Sequence, residues 1–139
     1  VCTTWLVRDG NYYLLNVFRK RLEYPLLRRE IVRLARHYEA TTVLIEDKSS
    51  GTPLIQELRA EGHLRPIPVK PIEDKVTRMS VQSAKIEAGY VVLPEKAAWL
   101  DAFQTEILQF PQGSHDDQVD SVSQFLGWIT RPSGGPRVT

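Results

Sequence analysis

The chain has 139 residues, of which 42% are hydrophobic and 25% are charged, and its formal net charge is +1. This composition is typical of a globular domain and excludes a disordered or fibrous chain. No apolar run approaches the roughly 20 residues of a membrane-spanning helix, so we expect no membrane partner. The single cysteine, Cys2, excludes an internal disulfide.

The charges are unevenly distributed along the sequence. The first 36 residues carry eight Lys or Arg against three acids, whereas residues 95–120 carry six acids and one Lys. A basic surface together with an acidic pocket suits a metal-dependent enzyme that acts on a polyanion. Asymmetry of this size also arises by chance in ordinary domains.

The first 38 residues predict a β-hairpin followed by a helix. VCTTWLV and YYLLNVF are rich in strand-forming residues and flank a DGN turn, which predicts an antiparallel hairpin over residues 1–18. Pro25 is favoured in the first turn of a helix. The buried stripe of this helix is predicted to consist of Leu27, Ile31, Leu34 and Tyr38. Arg29, Arg33 and Arg36 lie on the opposite face, which is either solvated or in contact with DNA.

The next segment predicts a β-α-β unit. Residues 41–47 read TTVLIED, and their apolar run lacks alternation, as in a strand that is buried on both faces of a sheet. The loop SSGTP leads into a helix, and the IPV segment at 67–69 supplies the second strand. Gly51 in that loop is not part of a phosphate-binding motif with a following Lys-Ser/Thr, so we discount nucleotide binding.

The second half of the chain predicts three helices and one short strand. Residues 74–88 form a helix closed by Gly89, YVVLP forms a strand, and an amphipathic helix begins near Trp99 and ends near Pro111. The last helix follows Gly113 and ends at Pro132. We expect one domain over residues 1–130 and a flexible, Gly/Pro-rich tail over residues 131–139.

Two acidic clusters are candidates for a metal site. Glu46 and Asp47 end the predicted buried strand, and the segment HDDQVD brings Asp116, Asp117 and Asp120 to the start of the last helix. Sites in open α/β sheets form beyond the carboxyl ends of the strands. Mg²⁺ and Mn²⁺ prefer carboxylate oxygens, and two such ions can activate a water molecule against a phosphodiester. Without a metal, neighbouring carboxylates repel one another.

Each of these acids also has a purely structural interpretation. The aspartates suit a helix N-cap and the positive end of the helix dipole, and Glu46 could pair with Lys48 or an arginine. His115 could donate to phosphate or hold a carboxylate, although a loop histidine is more often a surface residue. The histidines and Cys2 lack the spacing of a zinc site.

Four segments taken together resemble the carboxy-terminal nuclease domain of tailed-phage terminase large subunits. The segments are YYLLNVFRKRLEYPLL, VLIEDKSSGTPLIQEL, IEDKVTRMSVQSAKIEAGYVVLP and FPQGSHDDQVDS, and the resemblance covers about residues 1–128. It implies an α/β, ribonuclease H-like fold with a mixed sheet flanked by helices. The implied activity is metal-dependent endonuclease cleavage of concatemeric double-stranded DNA, with Mg²⁺ or Mn²⁺ in a two-metal site.

The resemblance implies catalytic and metal-binding roles for Glu46, Asp117 and Asp116. Asp117 is favoured as the direct ligand, whereas Asp116 either shares the metal or caps the helix. Asp120 is a candidate for the outer part of the site.

The same resemblance suggests roles for two basic residues. Lys75 and Arg78 occupy the family's DK-x-x-R segment, where they either contact DNA phosphate or form ion pairs at the start of a helix.

The family's first catalytic Asp lies on a central strand before the VCTTW strand. We therefore expect that strand to lie outside this chain, which would leave this chain with weak metal binding and poor cleavage.

The implied partners are double-stranded DNA, an upstream ATPase domain of the same protein, the portal and the small terminase subunit, all in the host bacterial cytoplasm. Two alternatives stay open. One is another ribonuclease H-like nuclease, of the resolvase or transposase type. The other is a non-catalytic DNA-binding or docking module that uses the arginine face.

Overall fold

The computed structural model describes residues 1–62, 64–70 and 73–131. Most of the predicted tail and the predicted helix end at Pro132 lie outside the described residues. The chain forms two compact units. Unit 1 comprises Val1, Thr3–Val17 and the chain from Glu73 onward, and unit 2 comprises Cys2 and residues 18–72.

The helices and strands follow the order expected from the sequence. In chain order they are β1 (Cys2–Arg8), β2 (Asn11–Phe18), α1 (Tyr24–His37), β3 (Leu44–Glu46), α2 (Gly51–Glu61), β4 (Ile67–Val69), α3 (Lys75–Glu87), β5 (Val91–Val92), α4 (Leu100–Gln109) and α5 (Asp117–Ile129). Within the described ranges, no helix has the length and apolar character needed to cross a membrane.

Unit 1 is built on a three-stranded mixed sheet in the order β1-β2-β5. A two-residue turn, Asp9-Gly10, joins β1 to β2, and both turn residues have positive φ (52° and 78°), as a type I′ hairpin turn requires. β5 runs parallel to β2, with Tyr12 opposite Val91. The predicted hairpin and the predicted short strand are therefore confirmed.

Helix α5 packs against this sheet. The core that joins them consists of Leu14, Val17, Phe103, Val122 and Leu126. The ring of Trp5 on β1 stacks on the ring of Phe125, with centroids 4.5 Å apart. Thr3 Oγ1 also lies 2.7 Å from Ser121 Oγ, near the start of α5. These contacts hold α5 against β1.

Helix α3 has the boundaries that the sequence predicts. The side chain of Asp74 accepts a hydrogen bond from the backbone N–H of Thr77 at 2.8 Å and so caps the helix. This hydrogen bond lowers the pKa of Asp74. After the helix, Gly89 adopts a φ of 85°, which suits glycine.

Unit 2 contains α1 and the predicted β-α-β unit. β3 pairs in parallel with β4, with Leu44 opposite Ile67 and Glu46 opposite Val69, and α2 connects the two strands. The predicted burial of β3 on both faces is not found, because all its residues are half-buried. Within this unit β3 is a three-residue strand that pairs with β4 alone in the described part of the chain.

Candidate functional site

Three aspartates converge at the start of α5 in unit 1. Each of Asp116, Asp117 and Asp120 offers a carboxylate oxygen that lies within 4.8 Å of the other two. Asp117 is exposed, whereas Asp116 and Asp120 are half-buried. Residues four apart lie on the same face of a helix, which brings Asp120 next to Asp116. The structure thus brings together the acids of the HDDQVD segment.

Two basic residues of α3 contact two of these aspartates. Lys75 Nζ lies 3.0 Å from Asp116 Oδ1 and 2.9 Å from Asp120 Oδ2. Arg78 Nη2 lies 3.1 Å from Asp120 Oδ1. Hydrogen bonding to Asp120 and then to Asp116 raises the pKa of Lys75 to about 12, so its ammonium group is charged at neutral pH. Two roles were considered for Lys75 and Arg78, namely contact with DNA phosphate and ion pairing at the start of a helix. The contacts in the structure are ion pairs.

The N-terminus of α5 is capped by a residue of α4. Asp116 occupies the N-cap position, but its side chain makes no capping hydrogen bond. The buried carboxylate of Glu106 instead accepts hydrogen bonds from the backbone N–H of Val119 at 2.8 Å and from Gln118 Nε2 at 2.9 Å. The capping role considered for Asp116 is therefore filled by Glu106, while the Asp116 carboxylate contacts Lys75.

Glu106 was not identified from the sequence. It lies three residues after Phe103, on the apolar face of α4, and both residues are buried. A charged residue on the buried face of an amphipathic helix needs a polar partner, because burying an unpaired charge is costly. The position of Glu106 on the apolar face of α4 was the sequence signal that could have identified it.

Asp117 differs from its neighbours in having a free carboxylate. Within residues 1–62, 64–70 and 73–131, its side chain makes no hydrogen bond and no ion pair. The N-terminal turn of a helix favours such a negative charge. Its exposed oxygens are available to a cation. His115, which precedes the cluster, is an exposed loop residue.

Glu46 lies in unit 2, at the end of β3, where a tight loop holds its backbone. The Lys48 N–H donates to the Glu46 carbonyl at 2.9 Å, and the Gly51 N–H donates to the Lys48 carbonyl at 3.0 Å. A Cβ atom on Gly51 would lie 2.0 Å from the Glu46 carbonyl oxygen. The loop therefore needs glycine at this position, because the first residue of α2 abuts the end of the strand.

The two acids at the end of β3 differ in their partners. Asp47 accepts a hydrogen bond from Thr52 Oγ1 at 2.7 Å and lies 3.9 Å from Lys70 Nζ. The Glu46 side chain has no hydrogen bond or ion pair among the described residues, so the considered pair with Lys48 or an arginine is not formed there. Glu46 and Asp117 thus share the property that their carboxylates lack a protein partner in the described part of the chain.

The aspartate cluster of unit 1 fits a hard divalent cation. Its three side chains offer only carboxylate oxygens, which Mg²⁺ and Mn²⁺ prefer, and Glu46 of unit 2 offers the same kind of donor. Unpartnered carboxylates keep their lone pairs free for a metal. Lys75 and Arg78 balance part of the negative charge of the aspartate cluster, which lowers the repulsion among its members.

The comparisons with known proteins give the family. A family model described as the terminase RNaseH-like domain matches residues 1–127, a range that includes Glu46 and the three aspartates. Comparisons with curated proteins and with solved structures found no match. The mixed sheet and the surrounding helices agree with the predicted α/β, ribonuclease H-like fold. The chain therefore belongs to the terminase RNaseH-like domain family, as the four sequence segments predicted.

Proposed function

We propose that this domain is the metal-dependent endonuclease of a phage DNA-packaging terminase large subunit and that it cleaves concatemeric double-stranded DNA. Family membership supports a nuclease-type module of a terminase. The observation that carries the proposal is the convergence of the carboxylates of Asp116, Asp117 and Asp120 within 4.8 Å. Such a cluster is costly without cations and suits a reaction on phosphate.

The residues proposed to hold Mg²⁺ or Mn²⁺ are Glu46, Asp117 and Asp116. Glu46 and Asp117 are favoured as direct ligands, because their carboxylates have no partner among the described residues. Asp116 is a further ligand that Lys75 would have to release. A pair of divalent ions would supply an activated water and stabilise the charge on the leaving oxygen.

Other residues position this site and meet the substrate. Glu106 fixes the first turn of α5 and with it the backbone of Asp117. Lys75 has three N–H donors, of which two are used by Asp116 and Asp120, so one is left for a phosphate oxygen of DNA. We propose the same phosphate contact for Arg78, whose Nη1 and Nη2 each keep one N–H beyond those that contact the Glu73 carbonyl and Asp120.

The proposed reaction is hydrolysis of a phosphodiester. The oxygen of water bonds to phosphorus, the bond between phosphorus and one sugar oxygen breaks, and that oxygen takes up a proton. In this proposal the reaction takes place in the host bacterial cytoplasm. There the domain works with an upstream ATPase domain of the same protein, the portal and the small terminase subunit.

Nicking of supercoiled plasmid in Mn²⁺, Mg²⁺ or EDTA tests this proposal. The assay uses the full-length protein. Glu46→Gln and Asp117→Asn should each lower the Mn²⁺-dependent rate about 100-fold or more.

The controls are Glu95→Gln and Asp101→Asn, which remove exposed acids outside the cluster. Asp101 is a matched control for Asp117, since both lie in the first turn of a helix. Both controls should keep the full rate. Wild-type nicking rates in Glu46→Gln and Asp117→Asn would contradict the proposal.

A non-catalytic DNA-binding module is the second candidate function. It is favoured by the ion pairs of Lys75 and Arg78, which already neutralise Asp116 and Asp120 without a metal. This candidate predicts no nicking by the full-length protein in any metal. It also predicts that Glu46→Gln and Asp117→Asn bind DNA as well as wild type does in EDTA.

A further inference from the structure

Helices α1 and α2 of unit 2 border a cleft that is rich in arginine. Its volume is about 420 Å³. The lining residues are Arg28, Arg29, Val32, Arg33, Arg36 and Glu61. Four arginines against one glutamate give the lining a net positive charge, and Val32 is its single apolar side chain.

Two of the four arginines are held by acids. Arg28 donates to Glu61 through Nη1, and its Nε lies 3.6 Å from Glu57 Oε2. Arg33 donates to both carboxylate oxygens of Glu30, which raises the pKa of Arg33 and lowers that of Glu30. These pairs fix the positions of two guanidinium groups and neutralise the negative charge of Glu61 at the cleft.

The other two arginines, Arg29 and Arg36, keep their full charge. Both are exposed, and neither makes a hydrogen bond or an ion pair within the described ranges. They lie seven residues apart on α1, which corresponds to two helical turns and a rise of about 10.5 Å. The same face of the helix therefore presents two separate, unneutralised guanidinium groups.

We propose that this arginine cleft binds the phosphate backbone of DNA. A guanidinium group forms paired hydrogen bonds with phosphate oxygens, and two free groups on one helix face suit an anion whose charge repeats. A protein partner fits less well, because protein interfaces are centred on aromatic or aliphatic anchors and this lining offers Val32 alone. The choice of DNA rests on the proposed nuclease function, whereas the anion-binding chemistry does not.

Binding of a fluorescent DNA duplex, measured by anisotropy in EDTA over a series of salt concentrations, tests this inference. The variant Arg29→Ala/Arg36→Ala should reduce the slope of log K against log salt by about 1.8, because each phosphate contact contributes about 0.9. The charge-reversal variant Arg29→Glu/Arg36→Glu should weaken binding further. The matched control, Arg8→Ala/Lys96→Ala, also removes two exposed positive charges and should keep the wild-type slope.

The outcomes separate this inference from the proposed function. DNA binding in EDTA is measured without cleavage, so a failure of the nuclease proposal leaves the cleft measurable. An unchanged slope in Arg29→Ala/Arg36→Ala, with a circular dichroism melt like that of wild type, would overturn the inference. Normal DNA binding by this variant together with lost binding of an acidic test peptide would identify a protein-docking surface instead, and would also overturn it.

Discussion

The carboxylate of Glu106 lies 2.8 Å from the backbone nitrogen of Val119, so that α4 caps the helix that carries the three aspartates. Glu106 is only 5% exposed, and its second oxygen is used by Gln118. The N-cap residue itself, Asp116, leaves the helix end uncapped by its side chain. The first turn of α5 is therefore capped by Glu106, which lies eleven positions before Asp117, the first residue of the helix.

Removal of the Glu106 carboxylate should destabilise unit 1. Glu106→Ala leaves the Val119 N–H and the Gln118 amide without their acceptor, which should lower the free energy of unfolding by roughly 2–4 kcal/mol. Glu106→Gln keeps one acceptor oxygen and should cost about half as much. Urea unfolding followed by circular dichroism measures both. Equal stability of Glu106→Ala and wild type would show that the cap contributes nothing.

Substitution of Gly51 should destabilise the loop after β3. The new Cβ would lie 2.0 Å from the Glu46 carbonyl oxygen, so Gly51→Ala should cost roughly 1–3 kcal/mol. Gly127→Ala is the matched control, because the nearest atom to its Cβ is Gln82 Nε2 at 3.6 Å. Inside α5, this alanine should instead stabilise the protein by about 0.5–1 kcal/mol. Thermal melts that rank the two variants in the opposite order would contradict this.

The elements that were predicted well are those set by local sequence. The Asp9-Gly10 turn, the proline at the start of α1 and the Asp74 cap of α3 each determine the backbone within a few residues. Burial of β3 was predicted less well, because it depends on which elements cover the strand and not on the strand's own residues. An apolar run indicates only that a strand can be buried.

The candidate site shows the same difference between features that local sequence determines and features that packing between helices determines. The convergence of Asp116 with Asp120 follows from their spacing on one helix, and the sequence was sufficient to predict it. The ion pair between Lys75 and Asp116 joins residues 41 positions apart. The spacing of residues along the sequence therefore could not show whether Lys75 pairs with Asp116 or contacts a phosphate group. The Glu106 cap was missed because it requires α4 to pack against the start of α5.

Asp117 and Asp116 should differ in their effect on the metal-dependent reaction. The Asp117 carboxylate is exposed and unpartnered within the described residues, whereas that of Asp116 is engaged by Lys75. Asp117→Asn should therefore reduce Mn²⁺ affinity and nicking about 10-fold or more beyond the effect of Asp116→Asn. Titration calorimetry with Mn²⁺ and plasmid nicking check this. A larger loss in Asp116→Asn would reverse the ligand assignment.

Removal of Lys75 should make the aspartate cluster dependent on a cation. Lys75→Met leaves Arg78 as the remaining ion-pair partner that contacts the cluster in the described structure, so repulsion among the three aspartates increases. In EDTA the variant should be less stable than wild type by up to about 1 kcal/mol, as expected for a largely exposed ion pair. Added Mn²⁺ should raise its melting temperature more than that of wild type.

The pH dependence of this loss follows from the pKa of Lys75. The pKa rises from its ordinary value of 10.5 to about 12 in the folded protein. A raised pKa stabilises the fold fully below pH 10.5, and this contribution disappears as the pH rises through 12. The difference in unfolding free energy between wild type and Lys75→Met should therefore be constant from pH 7 to 9.5 and shrink above pH 10.5.

Lys96→Met, which removes an exposed lysine without such contacts in the described residues, should show no such change with pH or with Mn²⁺. A constant difference through pH 12, or equal Mn²⁺-induced shifts in Lys75→Met and wild type, would mean that the ammonium group does not take the place of a cation among these carboxylates.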